Sequence, residues 1–282
     1  MMKLSQNDFE RLVAYMKKNY GINLDKKSVL IEGRLGNMIT QRGFKSFTEF
    51  LDFAFADKTG KETMQLVNKL TTNHTFFMRE PEHFTFLKNT LLPYFDKNNT
   101  DRSLNIWCAA SSTGQEPYTI LMTLLDYFGP RISTWRINYI ATDLDTDVLD
   151  FARKGEYATP LLKDVPKDWI TKYFTKIEEN KFKVQDKYRT MIQFKQFNLM
   201  SPIPQQVRYD LISCRNVMIY FEQQTKNDLV ERFYDVTKEG GYLFTGHAES
   251  VGRNTRYTYV QPAIYRRISE NANKNLTSGR IL

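Results

Sequence analysis

Residues 105–118 read NIWCAASSTGQEPY, and the reading of this stretch decides the fold. Ile106-Trp107-Cys108-Ala109-Ala110 is an apolar run. It passes into small and polar Ser111-Ser112-Thr113-Gly114, then into Glu116-Pro117. That order describes a strand, a tight turn and a helix start, the junction at which α/β proteins bind nucleotides. A dinucleotide fingerprint needs three glycines in such a loop, and Gly114 is the single one here. Glu116 stands at the helix N-terminus. A carboxylate there complements the helix dipole, repels a phosphate and attracts a cation or an amine. Two readings stay open at this point: a helix-start residue with no ligand, or an acid that receives a positively charged group.

Working outward, strands alternate with helices from about residue 100. SLNIWCAA, INYIATDL, IQFKQFNL, YDLISCRNV and GGYLFTGHA read as strands. EPYTILMTLLDYF, DTDVLDFARKG and QTKNDLVERFYDVTK read as helices, and YTYVQPAIYRRI closes with strand character. This alternation predicts an α/β fold with a mainly parallel sheet covered on both faces. Between about 163 and 195 the rhythm breaks. KFKVQDKYRTMIQF looks like two short strands around a polar turn, a small β insertion. The polar tail SENANKNLTSGRIL, residues 269–282, is expected to be disordered.

The first seventy or so residues are different. Ser5 with Asp8 opens a helix carrying Phe9, Leu12, Val13, Met16 and Tyr20, and Gly21 ends it. Leu30, Ile31, Leu35, Met38 and Ile39 mark a second helix, Ser46 with Glu49 opens a third, and Met64, Val67 and Leu70 mark a fourth. Four short helices make a small helical domain. Residues 1–70 hold 12 Lys/Arg against 8 Asp/Glu, with Lys26, Lys27, Arg34 and Arg42 around the second helix. That surface is either a solvated face or a dock for an acidic helix.

Composition narrows the function. The net charge of +8 permits an acidic partner without choosing between protein and nucleic acid. The sequence contains no run long and apolar enough to span a membrane, and the N-terminus lacks a signal-peptide pattern, so a cytoplasmic protein is expected. Cys108 and Cys214 lie in apolar strand-like runs and read as buried, reduced thiols. His74, His83 and His247 are scattered without metal-ligand spacing, and no metal is expected.

The second strand ends IATDLD. An acid at that tip suits the two hydroxyls of a ribose, and Asp143 is the candidate; Asp145 or Thr146 serves better as cap of the next helix. A ribose acid with no phosphate loop before it points to a nucleoside. S-adenosylmethionine fits, since its amino and sulfonium groups are both cationic. LTTNHTFFMREPEHF, between the two domains, supplies Asn73, Thr75 and Arg79, while Phe76, Phe77 and Phe84 suit a core. CRNVMIYF follows the strand YDLIS with an Arg-Asn pair and a tyrosine, and Asn198 ends another strand on the same sheet edge.

Together these stretches resemble the chemotaxis receptor methyltransferase family, CheR. The likeness runs from about Leu4 to Arg267 through LTTNHTFFMREPEHF, IWCAASSTGQEPYT, IATDLD, FNL, CRNVMIYF and GGYLFTGHAES, in the family's order and spacing. Two departures are mild. Phe76, Phe77 and Met78 stand where the family commonly has a small residue and two phenylalanines before the arginine, and Gln115 replaces the first acid of the loop. The resemblance implies a Rossmann-like S-adenosylmethionine-dependent sheet with a helical receptor-docking domain at 1–72. It implies a linker at 73–95 that contributes to the active site, and a methyltransferase domain at 96–268. It implies that Asn73, Thr75 and Arg79 contact cofactor or reacting centre, that Glu116 takes the methionine end and Asp143 the ribose. Asn198 and Leu199 would lie along the adenine, Arg215 and Asn216 on the methionine side, and Tyr220 near the transfer path, with Arg79 and Tyr220 the catalytic pair. The implied reaction makes methyl esters on glutamates of methyl-accepting chemotaxis receptors. The expected enzyme is a monomer that binds no nucleic acid and inserts into no membrane. A nucleic-acid methyltransferase would want an Asn-Pro-Pro-Tyr-type motif, which the sequence lacks. A non-catalytic scaffold would have lost Arg79, Glu116 or Asp143, and a dinucleotide oxidoreductase is opposed by the single-glycine loop.

Overall fold

The computed structural model describes residues 2–71, 73–252 and 255–268, so the expected disordered tail lies outside the described residues. The chain divides into two compact units, 1–73 with 220–225, and 74–219 with 226–282.

The first unit holds helices α1 (Gln6–Tyr20), α2 (Ser28–Gln41), α3 (Phe47–Ala56) and α4 (Lys61–Leu70). Ser5 caps α1 by accepting the Asp8 N–H, and Gly21 ends the helix in the left-handed region at φ 72°. Ser46 caps α3 by accepting from the Glu49 N–H, and Glu49 reaches back to accept from the Lys45 N–H at 2.8 Å. Leu12, Met16, Ile31, Leu35, Ile39, Phe50, Leu51, Leu66 and Val67 are buried, as their helical spacing requires. Residues 220–225 complete this unit. Phe221 bridges Ile22 antiparallel, the Asn23 N–H donates to the Tyr220 carbonyl at 2.8 Å, and Lys17 pairs with Glu222 at 2.7 Å.

In the second unit, most of the expected linker segment is helical. Apolar Phe84, Leu87, Leu91, Leu92 and Phe95 recur at helical spacing and are buried in the core. They form α5 (Glu82–Phe86) and α6 (Leu92–Asn98), joined by a π-helical turn at Leu87–Leu91. Strands follow in chain order: β1 (Ser103–Cys108), β2 (Arg136–Asp143), β3 (Glu156–Ala158), β4 (Phe174–Glu178), β5 (Lys181–Val184), β6 (Ile192–Gln196), β7 (Tyr209–Ser213), β8 (Thr237–Phe244), β9 (Thr258–Gln261) and β10 (Ile264–Arg266). Between them lie α7 (Gln115–Phe128), α8 (Thr146–Lys154), α9 (Lys167–Tyr173), α10 (Asp186–Arg189) and α11 (Gln223–Val236).

The main sheet has seven strands in the order β6-β2-β1-β7-β8-β10-β9. The first five run parallel, and β10 pairs antiparallel with both β8 and β9. From β1 the chain builds outward through β2 to β6, then returns to the other side of β1 with β7. The strand order therefore reverses between β1 and β7, where Cys108 lies opposite Ser213. Ligands of open α/β sheets bind at the carboxyl ends of strands at such a point.

The small antiparallel sheet differs from the expected 163–195 insertion. It is β3-β5-β4, spanning 156–184, and its hairpin turns at Glu179 and Asn180. The polar stretch DKYR forms the turn of helix α10 rather than a hairpin. Ile192 and Phe194 face the core, which draws β6 into the main sheet beside β2. Cys108 and Cys214 are free and buried, and burial pushes both thiols up.

Candidate active site

Four strand ends carry the candidate residues along one sheet edge. Past β1, the loop Ser111–Gly114 turns into α7. Its Ser111 N–H donates to the Thr142 carbonyl on β2 at 2.9 Å. Gly114 has φ 93°, and a Cβ there would meet Ala152 Cβ and Tyr157 Oη at 2.9 Å. The glycine thus serves close packing of the loop on α8 and β3 as well as the turn. Asp143 ends β2 and accepts from the Ser112 N–H at 2.7 Å and the Asp145 N–H at 3.0 Å. Burial nonetheless raises its carboxyl above the usual range. Asp145 caps α8, as the sequence suggested. Gln196 of β6 is the register partner of Asp143, and the Phe197 N–H donates to the Asp143 carbonyl at 3.0 Å. Asn198 and buried Leu199 follow immediately.

Glu116 opens the first turn of α7 and is buried. It accepts from Ser213 Oγ at 2.6 Å, from Cys108 Sγ at 3.5 Å and from Arg215 Nη1 at 2.9 Å. Arg215, past β7, is itself buried; its Nη2 donates to the Arg79 carbonyl and, at 3.2 Å, to Glu80 Oε2. Asn216 Nδ2 donates to Glu80 Oε1 at 3.2 Å. One guanidinium thus sits between two carboxylates. The Glu80 carboxyl is pushed up by burial, but the Arg215 charge, the Asn216 amide and the His247 N–H outweigh this and hold it below the usual range.

Glu249 anchors the same loop from beneath. Its buried carboxylate accepts from the N–H of Asn216 at 2.7 Å, Gly246 at 2.6 Å and Ile219 at 3.1 Å. Burial still raises its carboxyl. Among the described residues, seven other than glycine have positive φ, and Met78, Glu80, Ser112 and Asn216 are four of them. Each such conformation costs about 1 kcal/mol, and their concentration around one strand edge is the pattern of a functional site.

Arg79, Glu116, Arg215 and Asn216 are thus joined in one network, although Arg79 enters it through its carbonyl. Its side chain donates to the His74 carbonyl at 2.8 Å and lies 5.7 Å over the Phe76 ring. Asp143, Asn198 and Leu199 line the adjoining strand ends, and Thr75 is half-buried on the segment before Arg79. Asn73 and Tyr220 fall in the helical unit. Sequence reading missed Glu80, Ser213 and Glu249, although REPEH and GHAES carry two of them in motifs it quoted. It also left the histidines apart. Glu80, His83 and His247 each bring a potential ligand atom within 4.8 Å of the others.

The CheR methyltransferase all-alpha domain matches residues 7–71, and the CheR methyltransferase S-adenosylmethionine-binding domain matches residues 73–265. The chain belongs to the CheR methyltransferase family. It is 37% identical to a chemotaxis protein methyltransferase of Borreliella burgdorferi, covering 94% of this chain and 96% of that one. It is 32% identical to the chemotaxis protein methyltransferase of Escherichia coli, covering 94% and 92%. Chemotaxis protein methyltransferase Cher2 of Pseudomonas putida is also 32% identical, covering 92% and 96%. The protein is therefore an S-adenosylmethionine-dependent methyltransferase of chemotaxis, and the family's activity is protein-glutamate O-methylation.

The residues present fit that cofactor. Two carboxylates flank the loop that follows β1: Glu116 in the first turn of α7 and Asp143 at the end of β2. The α7 N-terminus carries an acid where a phosphate would need bare N–H groups. Ser111 Oγ is buried there with no hydrogen-bond partner among the described residues. No described helix is long and apolar enough to cross a membrane.

Proposed function

We propose that the enzyme methylates glutamate side chains of methyl-accepting chemotaxis receptors, making methyl esters that adjust receptor signalling. The observation that carries this reading is the Glu116–Arg215–Glu80 cluster at the strand-order reversal. With two carboxylates to one guanidinium it is a net negative site suited to the ammonium group of the cofactor's amino-acid end. Glu116 is the proposed acceptor for that end, and Asp143 for the ribose hydroxyls. Arg215 and Asn216 frame the methionine side, Asn198 and Leu199 the adenine, and Thr75 and Arg79 the approach to the methyl. The roles of Asn73 and Tyr220 rest on the family resemblance alone.

The chemistry asks little proton transfer of the protein. S-adenosylmethionine supplies a methyl already activated on a sulfonium, so an oxygen–methyl bond forms as the methyl–sulfur bond breaks. A glutamate side chain is already ionised at neutral pH, so no general base is required. The residues have to bind, align and screen, and alignment alone supplies several kcal/mol. Arg79 is the proposed group that holds or screens the anionic acceptor.

The basic helical unit is the proposed dock for the carboxylate-rich receptor bundle. The family resemblance implies that members which bind a receptor C-terminal pentapeptide through the β insertion usually carry a glycine in its turn. The β4–β5 turn here, Glu179–Asn180, has none, which supports methylation independent of such a peptide. The test is to incubate the protein with labelled S-adenosylmethionine and receptor signalling domains. Label released by mild base, as an ester requires, supports the reading; base-stable label or none defeats it.

A further inference from the structure

Glu80 lies next to the arginine that sequence reading selected, yet its carboxylate is the group that enters the network. The backbone explains the exchange. Met78 and Glu80 both take left-handed conformations, φ 61° and 55°, on either side of Arg79. The Arg79 carbonyl is held by Arg215, and the Arg79 side chain leaves toward His74 and Phe76. Glu80 is turned the other way. Its Oε1 accepts from Asn216 Nδ2 at 3.2 Å, and its Oε2 accepts from Arg215 Nη2 at 3.2 Å and from the His247 N–H at 3.3 Å. Asn216 is strained too, with φ 60°, and its N–H is pinned by Glu249. Glu249 therefore fixes the backbone of this loop, and Glu80 fixes the two side chains that leave it.

We propose that Glu80 is a positioning residue for methyl transfer, which holds the Arg215 guanidinium and the Asn216 carboxamide in the orientation that receives the cofactor. The inference rests on the reading of Arg215 and Asn216 as cofactor residues. With Nδ2 donating to Glu80, Asn216 presents Oδ1 on its other side, and an acceptor oxygen suits a protonated amine. Arg215 is held by Glu116 through one nitrogen and by Glu80 through the other, so both carboxylates orient its head. Two other roles fit less well. No proton moves in the transfer, so an ionised Glu80 is not needed as acid or base. As a metal ligand with His83 and His247, Glu80 would set the ion beside the fixed charge of Arg215. The two ring nitrogens of His83 already face the Glu80 and Ala263 carbonyls, each at 3.4 Å.

The test compares Glu80→Gln, Asn216→Ala and the double variant, measuring S-adenosylmethionine affinity by calorimetry and Tm in parallel. Glu80→Gln keeps the shape and removes the charge, and it is expected to weaken binding about fivefold or more with Tm nearly unchanged. In the Asn216→Ala background the same change should cost less than about twofold, since the partner it positions is gone. Glu80→Asp, which keeps the charge on a shorter arm, should recover part of the affinity. If Asn216→Ala itself binds normally, the cofactor reading of that residue falls, and the inference with it. If Asn216→Ala weakens binding and Glu80→Gln does not, or the two losses multiply independently, the positioning role alone falls. A loss that tracks Tm across all variants assigns Glu80 to stability and overturns the proposal. So does Zn²⁺ stabilisation that disappears in His247→Ala, which would make the cluster a metal site.

Discussion

Glu116 and Arg215, 99 residues apart in sequence, form a buried ion pair of 2.9 Å across the point where the sheet reverses its strand order. A buried pair of this kind contributes little against an apolar replacement, but removing one partner strands the other. Glu116→Ala leaves Arg215 with Glu80 as its remaining carboxylate. The expected outcome is a stability loss of up to about 3 kcal/mol and a loss of S-adenosylmethionine affinity of tenfold or more. Glu116→Gln, which keeps the shape, should spare most of the stability and still lose affinity. Unchanged affinity by calorimetry in Glu116→Gln would remove Glu116 from the site.

Arg79→Ala separates chemistry from folding. The side chain is half-buried, makes one hydrogen bond to the His74 carbonyl and stacks on Phe76. Its removal should cost only about 1 kcal/mol of stability. Its carbonyl, which holds Arg215, is retained by any substitution. Methyl transfer to receptor is expected to fall far more than Tm, and normal turnover would end the assignment.

Such contrasts show where the sequence was legible. Caps at Ser5, Ser46 and Asp145 and the alternation of strands and helices are local, so the elements could be read directly. The placement of Glu116 in the first turn of α7 and of Asp143 at the end of β2 was legible because both follow from the local strand–turn–helix pattern. The contacts of Glu80 were not, because they depend on a left-handed backbone and on partners more than 130 residues away. The end of the insertion was ambiguous for a related reason: MIQF reads both as the second strand of a hairpin and as the start of the sheet strand IQFKQFNL, until burial of Ile192 and Phe194 chooses the main sheet.

His83 imposes a pH dependence. Burial first, then the Arg215 charge, lowers its pKa to about 4 from the ordinary 6.5. The folded state therefore keeps His83 neutral where the unfolded chain protonates it. Stability should be fully present above about pH 6.5 and lost as pH falls toward 4, by on the order of 3 kcal/mol. His83→Asn should flatten the slope of denaturant stability across that window. An unchanged slope would mean that carboxylates alone set it.

Gly246 has no room for a side chain. A Cβ there would collide with Asn216 Nδ2 and sit 2.9 Å from Glu249 Oε2. Gly246→Ala should lower stability by about 1–3 kcal/mol and weaken S-adenosylmethionine binding through displacement of Asn216. Gly33, exposed inside α2 with nothing within 4 Å, is the control. Gly33→Ala should raise Tm slightly without touching cofactor affinity. Equal effects at both positions would show that the Gly246 contact carries no functional weight.

The helical unit gives the docking proposal its own test. Lys26, Lys27, Val29, Leu30, Gly33 and Arg34 line an open depression of about 540 Å³, and Val29 is 81% exposed. Not every cation around the second helix is available. Arg42 pairs with Glu62 at 2.5 Å and lies over Phe44, Phe50 and Phe53, and Arg34 donates to the Leu70 and Thr71 carbonyls. Lys26 and Lys27 are the exposed charges left to meet a carboxylate-rich helix. Exposed pairs are screened within about 8 Å at physiological salt. Receptor methylation should therefore slow as salt rises, mainly through KM for the receptor. Lys26→Glu with Lys27→Glu should cut kcat/KM for receptor about tenfold at low salt, flatten its salt dependence and leave S-adenosylmethionine affinity unchanged. Methylation that ignores both salt and these charges would place the receptor contact elsewhere on the enzyme.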